Sequence, residues 1–326
     1  MGVEDGTQTG IRRGAASAST AADVTVAVVG ICGAAHLRRC LDALRAQEGA
    51  APFDVVVAYD PALTDVPDLA ALYPEARLVA NVGQRTPLEL ASRAVAESRG
   101  DVVLLTEDHC VPGPDWVARL SAALRPGEAA VGGTVVLEPG ASATDFAFYF
   151  VDFFRYAPPV TPGRSPSLTV CNVAYRREAL VAIGELWQEL FHETAVNEAL
   201  RARHAPLRLV SNAPVRMRRH VRLADAVYER YAFGRLFGCT RLEFTSGARR
   251  LFYSILAPTL PLLLLGRMGR KALPSPALRG RFLRALGPLT LMVLAWSWGE
   301  WLGYLTRKRP GRLTVAPEAT HGAAVP

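Results

Sequence analysis

Glu107, Asp108 and His109 occupy consecutive positions and offer two carboxylates and an imidazole for chemistry. Carboxylate oxygens combined with an imidazole nitrogen suit a hard divalent cation, Mg2+ or Mn2+. The residues before them, Val102–Leu105, form a continuous β-prone apolar run, the pattern of a strand buried on both faces of a parallel sheet. The triplet therefore falls at a strand's carboxyl end, the edge where open α/β sheets bind ligands. Pro112 and Pro114 forbid a simple continuation, which puts the triplet on a turn facing a crevice. For three such residues taken alone, a solvated acidic turn is the alternative.

The elements that must position this triplet begin at Asp23. VTVAVVG (Val24–Gly30) reads as a buried strand, and His36–Arg45 as a helix with Leu37, Cys40, Leu41 and Leu44 on one face. A second strand, Asp54–Asp60, leads through the polar turn PALTD to a short helical stretch ending at Tyr73-Pro74. Arg77–Asn81 is a third strand, and Pro87–Ser98 a helix closed by Gly100. This β-α alternation predicts an α/β fold with a mostly parallel sheet covered by helices. Right-handed crossovers then bring Gly30, Asp60 and Glu107–His109 to one edge. The turn Gly30-Ile31-Cys32-Gly33 lacks both the G-x-G-x-x-G spacing and a following Lys, so a nicotinamide-dependent oxidoreductase is only a weak alternative.

Half of the 326 residues are hydrophobic, enough for a sizeable core and incompatible with wholesale disorder. The net charge of +7 and pI near 9.4 suit nucleic acid, anionic lipid or a phosphorylated substrate. Five scattered cysteines without a CxxC pair point to reduced thiols in a cytoplasmic setting. Arg12-Arg13 is followed by no apolar run, so no cleaved signal peptide is expected. Residues 1–22 and the tail beyond about 310 read as disordered.

Beyond Trp116 a helix to Leu124 precedes a predicted strand, Ala129–Leu137, which contains Gly132-Gly133. The aromatic run Asp145–Tyr156 is core or an apolar wall for an acceptor, and Pro158–Pro166 is a loop able to act as a lid. Thr169–Leu180 is strand-like and then helical, with Arg176-Arg177 at the junction.

Taken in order over about Val24–Gly238, these residues resemble family 2 glycosyltransferases of the GT-A fold, which use nucleotide-activated sugars. Gly30 lies in the first nucleotide-binding turn, although Val29–Gly33 departs from the family's Pro-Thr-Tyr-Asn-like turn. Asp60 with Thr64-Asp65 is similar to the turn whose acidic residue contacts the nucleotide base. Asn81-Val82-Gly83 resembles the lead into the metal-binding strand, and Glu107-Asp108-His109 takes the place of the D-x-D motif. Asn172, Arg176 and Arg177 resemble the family's segment near donor sugar and acceptor.

The resemblance implies donor binding by Gly30, Asp60, Glu107, Asp108, Asn172, Arg176, Arg177 and Arg235. It implies a divalent metal, Mg2+ or Mn2+, on Asp108, His109 and His220. Glu193 stands where a catalytic carboxylate belongs, with Glu189, Glu198 and His192 as rivals. Arg216, Arg218, Arg219, Arg222, Arg230 and Arg235 supply positive charge suited to a departing diphosphate, with a solvated basic face as the bland alternative. The activity implied is transfer, by inversion, from a UDP- or GDP-linked sugar to a lipid-linked or polysaccharide acceptor. A degenerate, non-catalytic nucleotide-binding protein is the other alternative.

The C-terminal quarter differs in kind. Leu251–Gly266 carries no charge and Ala285–Thr306 only Glu300. Sixteen helical residues fall short of a roughly 30 Å hydrocarbon core, while the second stretch is long enough. Basic residues between the two (Arg267, Arg270, Lys271, Arg279, Arg281, Arg284) oppose a two-span hairpin. Interfacial or re-entrant helices, with Trp296, Trp298 and Trp301 at headgroup depth, avoid that conflict. The expected organisation is a GT-A domain at 23–240 and a membrane-associated helical region at 241–310, separable near Arg249. The predicted location is the cytoplasmic face of the inner or plasma membrane. Positive charge beside apolar segments favours a membrane over nucleic acid as the partner.

Overall fold

A computed structural model describes residues 23–82, 86–241 and 247–310. The leader 1–22, the tail 311–326 and Gly83, for which the sequence raised expectations, lie outside the described residues. The alternation of apolar runs and amphipathic helices is realised element by element: β1 (Val24–Gly30), α1 (Ala34–Arg45), β2 (Asp54–Tyr59), α2 (Leu69–Leu72), β3 (Ala76–Ala80), α3 (Pro87–Glu97) and β4 (Val102–Glu107). A capping box, Thr86 with Glu89, and Pro87 in the first turn start α3. There follow β5 (Cys110–Pro112), α4 (Trp116–Ala123), β6 (Ala130–Gly132), β7 (Val135–Leu137), α5 (Ala143–Phe153), β8 (Gly163–Arg164), β9 (Val173–Arg176), α6 (Arg177–Ala182), α7 (Glu193–Ala202), β10 (Leu207–Leu209) and β11 (Val215–Met217). The remaining helices are α8 (Leu223–Arg241), α9 (Gly247–Leu256), α10 (Leu260–Ala272), α11 (Pro276–Arg284) and α12 (Leu286–Thr306).

The principal sheet has eight strands in the order β3-β2-β1-β4-β9-β6-β10-β8. Strands β1 to β4 are mutually parallel, with Gly30 opposite Tyr59 and Val29 opposite Glu107. Gly30, Asp60 and Glu107 therefore share the carboxyl edge. Val26–Val29, Val56–Ala58 and Val103–Leu105 are at most 2 % exposed, as a doubly covered sheet requires. Each such large side chain contributes about 1.5–3 kcal/mol by leaving water.

Two features differ from the sequence expectation. The single strand expected over Ala129–Leu137 is two strands, β6 in the large sheet and β7 in a three-stranded sheet ordered β5-β11-β7. Gly132-Gly133 permits the break: a Cβ on Gly133 would lie 1.9 Å from the Ala213 carbonyl oxygen. Strand β9 runs antiparallel to both neighbours, with Leu105 opposite Val173 and Val102 opposite Arg176.

The chain divides into two compact units, one up to Val136 plus Val160–Arg216, the other Leu137–Pro159 plus the chain from Met217. The second unit thus starts well before the composition change near residue 240. Within it the aromatic run forms α5, begun by a Ser142–Asp145 capping box and buried from Phe146 to Phe150. Phe150 meets Phe282 of α11 edge-on at 5.9 Å.

Helices α8 and α12, also in this unit, approach backbone to backbone through glycines. A Cβ on Gly234 or Gly238 would lie 2.2 or 2.3 Å from the carbonyl oxygen of Trp296 or Glu300. On the facing helix, a Cβ on Gly299 or Gly303 would lie 2.1 or 2.6 Å from the oxygen of Tyr231 or Arg235. Both helices thus carry a G-x-x-x-G pair at their crossing. Glu300, the single charge of α12, is 5 % exposed and accepts from Trp296 Nε1 at 2.9 Å and Tyr304 Oη at 2.5 Å.

Removing α12 by a break near Arg249 would uncover the glycine face of α8. Gly238→Ala must push the helices apart, an overpacking cost of about 1–3 kcal/mol or more. Gly280 of α11 has open space around it, so Gly280→Ala gains up to about 1 kcal/mol of helix propensity. Thermal unfolding of the two variants should move in opposite directions.

Candidate active site

The carboxyl edge of β4 is built around a carboxylate that has left solvent entirely. Asp108 is fully buried, and its Oδ2 accepts the backbone N–H groups of Ile31 at 2.8 Å and Cys32 at 2.7 Å. Its own N–H donates to the Val29 carbonyl at 3.0 Å. This ties the turn after β1 to the end of β4. The charge is paired to two amides in place of water. The turn then enters α1 through Gly33, whose φ of 95° favours glycine. Asp65 Oδ2 accepts the Ala34 N–H at 3.2 Å at the start of that helix, where backbone donors and the dipole favour an anion. Asp60 Oδ1 accepts the Ala62 N–H at 2.8 Å and so closes its own turn.

Glu107 and His109 flank the clamp. Glu107 Oε2 lies 3.5 Å from His109 Nε2, and Asp108 Oδ1 lies 3.6 Å from His109 Nδ1. Asp108 Oδ1 is buried without a hydrogen-bond partner among the described residues. An orphaned carboxylate oxygen next to a second carboxylate and an imidazole is a donor set that fits a divalent cation. Burial alone would lower the His109 pKa, but the Cys110 thiolate and the acceptors beside the ring, on Asp108, Cys110 and Cys32, hold it well above the usual imidazole range. Burial raises the Cys110 thiol, yet the hydrogen bond from Cys171 and the charge of His109 prevail and bring it to about 7.

Glu193 comes to the same edge. It is the first residue of α7, where the helix dipole favours an ionised carboxylate, and its Oε2 accepts the Val170 N–H at 3.1 Å. The segment that it holds, Val170–Asn172, enters β9 beside the end of β4. There the Thr106 hydroxyl lies 2.9 Å from the Cys171 carbonyl oxygen. The rivals differ: Glu189 and Glu198 are exposed, while His192 is buried before the helix.

Asn172 is also at this edge, but its amide is engaged inside the protein. Nδ2 donates to the Thr134 and Ala213 carbonyls at 2.8 Å each, and Oδ1 accepts from Trp116 Nε1 at 2.8 Å. It serves as a clamp between strands, with no amide donor left over for a sugar.

Arg176 and Arg177 are not brought to the edge, contrary to the expectation of donor binding. Because β9 is antiparallel to β4, Arg176 pairs with Val102, five residues and roughly 17 Å from Glu107 at about 3.3 Å per residue. Arg176 donates to the Glu128, Leu124 and Arg125 carbonyls, and Arg177 to the Gly100 carbonyl. Sequence spacing shows that a strand precedes the arginine pair, not which way that strand runs.

The remaining residues of interest belong to the second unit. His220 Nδ1 lies 3.0 Å from Asp145 Oδ2. Asp145 also accepts the Val221 N–H at 2.8 Å and the Ser142 N–H at 3.0 Å. Burial raises its pKa, but these partners outweigh burial and keep the carboxyl below its usual value. A carboxylate on one imidazole nitrogen leaves the other, Nε2, as the lone-pair donor, the arrangement common behind metal-bound histidines.

Arg235 donates to the Lys308 carbonyl and to Tyr231 Oη. Among the arginines expected to serve a diphosphate, Arg219 forms a bidentate pair with Glu229 at 2.9 and 2.6 Å, and Arg230 pairs with Glu229 and Asp152. Both lie over the Phe148 ring, at 4.8 and 4.3 Å. Those two guanidinium groups are core constituents.

A mostly parallel sheet with an antiparallel β9 beside β4, covered by helices and carrying an acidic cluster at its carboxyl edge, defines a GT-A fold. Residues 31–184 match the family description "Glycosyl transferase family 2", and this stretch of the chain is a family 2 glycosyltransferase domain. Among solved structures the chain is similar to a mannosyltransferase, PcManGT, from Pyrobaculum calidifontis, in a complex with GDP-Man and Mn2+. The TM-score is 0.52 at 15 % identity, with 86 % of this chain and 88 % of that chain covered. No curated protein matches the sequence.

The geometry assigns different consequences to neighbouring carboxylates. Asp108→Ala removes the acceptor of two half-buried N–H groups and should lower stability by up to about 3–6 kcal/mol, from two charge-assisted bonds at about 1.5–3 kcal/mol each. Glu107→Gln should stay within about 0.5 kcal/mol of the parent. Urea unfolding of the two proteins separates clamp from ligand.

Proposed function

We propose that the protein transfers a sugar, with inversion, from a UDP- or GDP-linked donor to a lipid-linked or polysaccharide acceptor. The observation that carries the reading is the assembly of Glu107, His109 and Glu193 at one sheet edge beside the β1–α1 turn. The family match and the likeness to a mannosyltransferase fold support it.

The donor diphosphate would lie along this turn, with Asp60 and Asp65 toward its base and ribose. Glu107, Asp108 Oδ1 and His109 would hold Mg2+ or Mn2+. When bound, the ion supplies positive charge for the diphosphate. Glu193 would take the proton of the acceptor hydroxyl as its oxygen bonds to the anomeric carbon. The bond from that carbon to the phosphate oxygen breaks on the opposite face, and nucleoside diphosphate leaves with the electron pair.

Release of nucleoside diphosphate from a panel of nucleotide sugars, with Mn2+ and with chelator, tests the donor and the metal together. Glu193→Gln should keep donor affinity and lose turnover by on the order of 10²–10⁴. Near-normal turnover would give the base to Glu189, Glu198 or His192.

The acceptor side of the reading includes a membrane. The helical run Arg250–Ala272 is long and apolar enough to cross one, since the short 3₁₀ turn Ala257–Thr259 carries it past Pro258 and Pro261. Little of that run is buried, and Leu251, Phe252, Ile255 and Leu262 are each more than half exposed. Arg267 and Arg270 in its last turns, and Arg279, Arg281 and Arg284 beyond it, are exposed. An apolar surface next to a basic one suits helices lying in the cytoplasmic leaflet of an anionic bilayer.

Leu251→Glu with Ile255→Glu removes about 3–6 kcal/mol of apolar burial. Partition onto anionic vesicles should then fall on the order of 100-fold or more in a flotation assay. Unchanged flotation would overturn the membrane half of the reading.

A further inference from the structure

Three soft or borderline donors stand directly behind the acidic edge, and the transfer reaction uses only one of them. His109, Cys110 and Cys171 each place a ligand atom within 4.8 Å of the others. All three are buried, at 4, 0 and 3 % exposure. The arrangement is held by backbone as well as side chain. The Thr106 hydroxyl lies 2.9 Å from the Cys171 carbonyl oxygen and 3.2 Å from that of Cys110, so one hydroxyl fixes both cysteines. The five cysteines are free thiols, which leaves both sulfurs available as ligands.

We propose that His109, Cys110 and Cys171 form a site for a thiophilic divalent cation such as Zn2+ or Cd2+, separate in ligand chemistry from the hard-cation set of Glu107 and Asp108. Two thiolates and an imidazole make a three-ligand tetrahedral site with a fourth position for water or for Glu107. Around such an ion, donor atoms at about 2.0–2.3 Å from the metal lie about 3.3–3.8 Å apart. Small rotamer adjustments from the present spread reach that geometry. The approach is from the side of Cys32, which is half-buried and has its Sγ 3.9 Å from His109 Nδ1. Because His109 belongs to both sets, a soft ion here would withdraw the imidazole from the edge where the donor is proposed to bind.

The test uses the full-length protein in a thiol-free phosphine reductant, without donor or acceptor, so its outcome does not depend on the transfer reading. Titration with Cd2+ should show one equivalent bound with a thiolate-to-metal charge-transfer band. Cys110→Ser and Cys171→Ser should each abolish the band. Each should also weaken binding by at least the 10–100-fold that loss of an outer-shell partner costs a metal site. Cys239→Ser, in α8, should change neither. If a serine variant fails to fold by circular dichroism, the wild-type titration decides alone. A wild-type protein without the band, or a band that survives in folded Cys110→Ser and Cys171→Ser, overturns the proposal.

Discussion

A buried carboxylate facing two backbone N–H groups is the interaction on which the crevice depends. The turn after β1 exposes the N–H groups of Ile31 and Cys32, and a buried donor without a partner costs about 1–3 kcal/mol. Asp108 satisfies both with one oxygen, and in doing so locks the end of β4 to the start of α1. The strand then cannot slide, so its flanking residues Glu107 and His109 are held at fixed distances on either side. The acidic triplet is thus a structural tie with chemical groups on its shoulders. Its oxygen Oδ1, turned toward His109, is where tie and chemistry meet.

A second clamp of the same kind lies across the sheet. Asn172 uses all of its amide on Thr134, Ala213 and Trp116, and Gly133 leaves room for it. This holds antiparallel β9 against β4, which in turn delivers the Val170–Asn172 segment and Glu193 to the edge. Neutral hydrogen bonds of this sort each add only about 1 kcal/mol net. Their effect lies in geometry, because a wrong strand direction would leave several buried groups unpaired at once.

The second unit is organised by the opposite chemistry, the removal of side chains. The glycines of α8 and α12 let two backbones touch, and the charges near them are neutralised internally by pairs such as Arg219–Glu229. With its polar demands met inside, this unit leaves large apolar side chains on its surface between residues 251 and 305.

The amino-acid sequence alone determined the β/α succession from Val24 to Glu107, the parallel direction of β1 to β4 and the common edge of Gly30, Asp60 and Glu107. These follow from local periodicity and from the single handedness of crossovers. The resemblance to family 2 glycosyltransferases put Glu193 at a helix start, where α7 begins. Tertiary structure decided the rest. Strand periodicity records which faces are buried and not which way a strand runs. Only the folded sheet could show that β9 is antiparallel and that Arg176 and Arg177 sit at the far edge. Residue type shows that Asp108 and Asn172 can accept and donate hydrogen bonds, yet their partners lie far away in sequence and are chosen by packing. The glycine pairs of α8 and α12 were present as letters, but a helix of mixed polarity does not reveal which stripe meets another backbone. The extent of the second unit was hidden for the same reason. The aromatic helix α5 joins α11 and α12 through contacts more than a hundred residues apart, and no local composition encodes them.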